Sequence, residues 1–124
     1  LIAAVFGAAV GYERRSSDKP AGLRTLSLVA VDSALFTIIS TFIFEAADQS
    51  RVAAQIVTGV GFLGGGTILR SEGRISGLTT SATIWATAAI GMAVGSGLYI
   101  AASGGTVLML TILYILAPSR NSED

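Results

Sequence analysis

From Ile75 to Ser119 the chain carries no charged side chain, and between Leu26 and Phe44 it carries one, Asp32. Apolar runs of about 20 residues are long enough to cross the hydrocarbon core of a bilayer as helices. Nothing else in the sequence restricts the fold as much. In lipid every backbone polar group needs a partner within the protein, and a helix supplies that partner locally. Composition agrees: of 124 residues 52% are hydrophobic and 13% charged, with a mean hydropathy of +0.70, whereas a soluble domain carries about 25% charged residues. The expected fold is all-α, a polytopic membrane helix bundle forming one transmembrane domain over residues 1–124.

Five apolar segments can be drawn. Leu1–Tyr12 is short of a span and needs about eight more residues upstream to cross. Leu23–Phe44, Val52–Leu69, Thr80–Leu98 and Ile100–Ala117 follow, the last closed by Pro118. The chain opens on Leu rather than Met, and so reads as a piece of a longer one. Basic residues orient the spans. Arg14, Arg15, Lys19, Arg24, Arg70, Arg74 and Arg120 all fall on one side if five spans alternate, and only Arg51 falls on the other. The N-terminus is then outside and the C-terminus cytoplasmic. Asp48 or Ser50 is placed to cap the third helix, and Thr79 or Thr80 the fourth.

Several function classes are disfavoured. Cys and His are absent, which removes disulfides, thiol chemistry, the usual zinc sites and His-based proton transfer. No enzyme activity and no cofactor are expected. Net charge is zero, so no nucleic-acid partner is expected. Gly59-x-Gly61-x-x-Gly64 has the spacing of a dinucleotide fingerprint but lies in an apolar helix-length run without the required strand and acid. Thr67 stands where a P-loop needs Lys. Thr58–Gly64 is only superficially like a potassium-channel filter, which also needs a symmetric re-entrant loop.

Polar groups inside the spans are the candidates for function. Asp32 sits near the middle of the second span, where a carboxylate costs about 2.5–3.5 kcal/mol. It either bonds a neighbouring hydroxyl or marks an ion or proton site. Gln55, Thr58, Gly59 and Phe62 share one face of the third span, and Thr80, Thr83, Thr87 and Gly91 one face of the fourth. Both faces should look into the bundle. Glycines at four-residue spacing, Gly7/Gly11, Gly61/Gly65 and Gly91/Gly95, suit close helix approach and a homodimer. Gly64, Gly65 and Gly66 are harder to explain by packing, since each glycine weakens a helix by about 1 kcal/mol relative to Ala. A bend near Gly64–Gly66 is expected, with Ser71–Leu78 looping back onto Arg14 and Arg24. Arg24 can pair with Glu13, and Trp85 can pack on the glycine-rich helix. The mouth formed by Glu13, Arg24 and the triple glycine is the expected functional surface.

Three blocks, "GYERRSSDKPAGLRTLSLVAVDSALF", "RVAAQIVTGVGFLGGGTILR" and "GLTTSATIWATAAIGMAVGSGLY", resemble the membrane domain of the MgtC/SapB family. The resemblance covers nearly the whole chain. It implies a bacterial inner-membrane protein of about five spans, linked to growth in low magnesium, acid tolerance and survival in host cells. It also implies regulation of a membrane partner such as the F-type ATP synthase. The matching positions include Glu13, Arg14, Arg24, Gln55, Gly64, Gly66, Thr83 and Trp85. Two departures stand out. Asp32 replaces a glycine usual in the family, and the soluble C-terminal domain of longer members is absent from this sequence. The alternative function is a small Mg²⁺ or proton transporter with Asp32 in its path.

Overall fold

A computed structural model describes residues 1–43, 48–71 and 73–117. Its elements are α1 (Ile2–Ser16), α2 (Leu23–Ile43), α3 (Ser50–Gly65), β1 (Leu69–Ser71), β2 (Arg74–Ser76), α4 (Leu78–Gly95) and α5 (Tyr99–Ile115). The helices fall on the five expected segments. The expected loop between the third and fourth is instead a small antiparallel hairpin, with Arg70 opposite Ile75.

α2 and α4 are long and apolar enough to cross a membrane, and only 33% and 39% of their apolar windows are buried. The core helix of a soluble protein would be mostly covered. Here Leu28, Phe36, Phe42, Ile100, Val107 and Leu108 all face outward, an apolar surface far beyond what a soluble monomer tolerates.

Glycine sets the bundle's register. A methyl group at Gly7 would come within 2.5 Å of the Leu26 carbonyl, and one at Gly11 within 2.5 Å of Leu23 Cα. α1 therefore runs antiparallel to α2 with the backbones in close contact. Gly91 abuts the Ala30 carbonyl and Ser33, and Gly95, one turn on, abuts Ala34 and Thr37. α2 and α4 are therefore parallel. Val10, Leu26, Val29, Ile84 and Ala88 fill the centre of the packed helices. The α1–α2 turn and the hairpin consequently lie at one end of the bundle, and the connection from α2 to α3 at the other.

α3 stops where the glycines cluster. Gly66 N–H still donates to the Phe62 carbonyl, but Thr67 and Ile68 donate three residues back, to Gly64 and Gly65, the tightened turn that ends a helix. Two expectations about caps need correction. α4 begins at Leu78 after Gly77, whose φ of 86° is left-handed, and no Thr side chain caps it. A side chain at Gly77 would also collide with the Thr67 carbonyl. On α3, Gln49 is the N-cap and has no side-chain cap bond. One residue earlier, Asp48 accepts from the Ser50 N–H at 3.0 Å and from its hydroxyl at 2.5 Å. These bonds hold the Asp48 carboxyl below its ordinary pKa.

Candidate functional site

The last turn of α1 holds the one buried ion pair found among the described residues. Glu13 and Arg14 are adjacent, and both are almost fully buried. Arg14 Nε lies 2.8 Å from Glu13 Oε2. That is ion-pair distance, but the N–H points off line, so neither atom gains a proper hydrogen bond there. Arg14 Nη2 donates to Glu13 Oε1 at 3.4 Å, and Ser17 Oγ donates to the same oxygen at 2.9 Å. Arg14 Nη1 has no partner among the described residues. The helix then closes through Ser17 and Lys19, whose N–H groups reach the Glu13 and Arg14 carbonyls. A buried pair in this state is held by its surroundings, because its desolvation cost is only partly met by hydrogen bonds.

At the same end, α4 turns Thr80 and Thr83 inward, with Thr87 one turn beyond Thr83, all three buried. Thr83 donates to the Thr79 carbonyl at 2.7 Å and Thr87 to the Thr83 carbonyl at 2.8 Å. These hydroxyls are satisfied by their own helix, as expected for a face that looks into the bundle. Gly64 belongs to this end as well. A methyl there would stand 2.7 Å from Ser81 Oγ, so α3 closes on α4 through that glycine. Beside it, Val60, Gly61, Gly64, Ile68, Leu78, Ser81, Ala82 and Trp85 line an open groove of about 260 Å³. Trp85 borders the glycine-rich helix as expected, yet stays 55% exposed.

The structure separates the remaining candidates from this cluster. Arg24 is exposed, and Glu13 pairs with Arg14 instead. The hairpin packs against neither α1 nor α2 to any extent, so the expected fold-back onto Arg14 and Arg24 is not present. Glu72 lies outside the described residues. Gln55, Thr58, Gly59 and Phe62 look outward, not inward. α3 touches the bundle along the narrow stripe Ile56, Val60 and Gly64, which leaves the rest of its circumference uncovered. A methyl at Gly65 would meet nothing, and one at Gly66 would meet only carbonyls of its own chain. Asp32 is also exposed, on the outer face of α2, and no hydrogen bond or ion pair of it is found among the described residues. Sequence reasoning missed Ser17 and Ser81. Ser17 was legible as the i+4 neighbour of Glu13; nothing local to Ser81 marks it as the residue beneath Gly64.

The MgtC family profile matches residues 1–122. The chain belongs to the MgtC family. It is 47% identical to Escherichia coli K12 YhiD, named as a proposed magnesium transporter, over 93% of this chain and 57% of that protein. It is 41% identical to the Brucella abortus protein named MgtC, over 92% of this chain and 48% of that protein. A Synechocystis protein of unassigned function is 42% identical over 94% of this chain and 50% of its own length. The chain thus spans about half the length of the curated relatives it matches. No solved structure matches it.

Proposed function

We propose that this MgtC-family domain lies in a bacterial inner membrane with five spanning helices. In this reading it supports adaptation to magnesium and acid stress by binding membrane partners, with the F-type ATP synthase as one candidate, and catalyses no reaction. α1 and α3, with 15 and 16 residues, are about 23–24 Å long at 1.5 Å per residue. They cross if the bilayer thins locally or if the chain continues the first helix upstream. The basic residues of the α1–α2 turn and the hairpin support a cytoplasmic location for that end.

One observation carries the choice of contact over conduction. Of the inward hydroxyls of α4, those of Thr83 and Thr87 are bonded to their own helix, while Asp32 and Gln55 face outward. A conduction path through a protomer needs polar groups turned inward and available to an ion. In this chain Asp32 and Gln55, which have no hydrogen-bond partner among the described residues, face the surroundings of the protomer. Purified protein in liposomes should give Mg²⁺ and proton flux no greater than empty liposomes, while expression should restore low-magnesium growth to a deletion strain. Robust flux would establish the transporter reading suggested by the name of the Escherichia coli relative. Failure to restore growth would sink the stress-adaptation reading itself.

A further inference from the structure

The outer face of α2 carries a regular stripe. Leu28, Asp32, Leu35, Phe36, Ile39 and Phe42 recur at three- and four-residue steps and are all exposed. Every member is apolar except Asp32. At 1.5 Å per residue Asp32 lies about 14 Å from the start of α2 and about 17 Å from its end, which is mid-depth in a bilayer. A carboxyl group aimed at lipid there has neither water nor a protein donor. Ionisable groups at such depth face protein or a water-filled cavity, and pair with one another or with backbone carbonyls.

We infer that the Asp32 face of α2 is the contact between two copies of this chain, with the two Asp32 carboxyl groups hydrogen-bonded to each other across a two-fold axis. Depth selects a second copy. Two copies inserted with the same topology carry Asp32 at the same height, so a two-fold axis along the bilayer normal brings like to like. A carboxylic acid is self-complementary, its O–H donating to the oxygen of the other while its own carbonyl oxygen accepts. The described arginines of this chain stand at helix ends or in connections, so none reaches that height. Two of the three glycine pairs that suggested dimers in the sequence are already used, while a methyl at Gly61 or Gly65 on α3 would meet nothing within the protomer. Gly7, Gly11, Gly91 and Gly95 all contact α2 within one protomer, and these contacts leave the Asp32 face of α2 open.

The inference rests on the membrane placement proposed above. The chain has no cysteine, which makes the test direct. Leu35→Cys on the stripe, and Val107→Cys on α5 as a control, are each expressed in membranes and oxidised. Resistance of the protein to alkaline extraction reports membrane insertion separately. Leu35→Cys should form a disulfide-linked dimer and Val107→Cys should not. Asp32→Leu should weaken self-association in lipid about three- to thirty-fold, measured by energy transfer on dilution, and Asp32→Asn should retain most of it. Asp32 is exposed within the protomer, so helicity should survive both changes. An extraction-resistant protein that stays monomeric on concentration in lipid, cross-links through Val107→Cys instead, or dimerises as well with Asp32→Leu would overturn the inference. So would a different membrane protein cross-linking to Leu35→Cys in place of the second copy. Release by alkali would instead remove the membrane reading beneath it.

Discussion

Two glycines of identical composition and helix setting do opposite things here. A methyl at Gly91 would strike the Ala30 carbonyl, whereas one at Gly61 would meet nothing within 4 Å. Gly91→Ala should therefore destabilise by about 1–3 kcal/mol through overpacking. Gly61→Ala should stabilise by about 0.5–1 kcal/mol through the helix backbone alone. Thermal unfolding in mild detergent compares them directly, and equal shifts of the same sign would contradict this register. Glu13 is the second residue-scale case. Glu13→Gln leaves Arg14 buried without its counter-charge and should cost about 3–5 kcal/mol, more than replacing both residues by leucine. Asp48 gives a pH signature. Its carboxyl titrates below the ordinary range because Ser50 bonds the charged form. The contribution is therefore present above the ordinary carboxylate pKa and fades as pH falls through the lowered value. Ser50→Ala should move the Asp48 titration, followed by NMR, back upward. The pair Glu13–Arg14 was hard to foresee, because adjacent residues on a helix point about 100° apart and the sequence favoured a cross-turn partner in Arg24.

The elements were more legible than their faces. Charge-free runs and basic boundaries located the five helices to within a few residues, since length and hydropathy decide what a bilayer accepts. Direction was not encoded in the same way. Thr80, Thr83 and Thr87 do line the inside of α4, while the same polar spacing on α3 lines its outside. The residues are alike; what differs is that α4 is central and packs on α2, α3, α5 and α1, while α3 leans mainly on α4. Spacing reports that a helix has a polar side, and only tertiary position says where that side points. The triple glycine was read as a weak point in α3 and proves to be its end. The hairpin was invisible because three-residue strands carry almost no periodic signal. Gly77→Ala tests its junction with α4. At φ 86° and against the Thr67 carbonyl, even a methyl group forces a backbone shift. It should lower stability and speed amide exchange over Leu69–Ser76, while Gly65→Ala, open on all sides, should do neither.

At the scale of the whole molecule, the parallel run of α2 and α4 decides where the charges gather. Because Gly91 and Gly95 track Ala30 and Ala34 in the same direction, both helices start at one end. The α1–α2 turn with Arg14, Arg15 and Lys19, and the hairpin with Arg70 and Arg74, must therefore share that end. Arg51 sits at the other, beside Asp48. A positively charged end is retained in the cytoplasm during insertion. An impermeant thiol reagent added to intact spheroplasts should therefore label Gln49→Cys and spare Ser76→Cys, and both should react once the membrane is opened. Both positions are exposed in the fold, so failure to label reports the membrane barrier and not burial. The inverse pattern would keep the fold and reverse its orientation. Labelling of both sites from outside would break the link between α2 and α4, because two parallel spans cannot start on opposite sides of one bilayer.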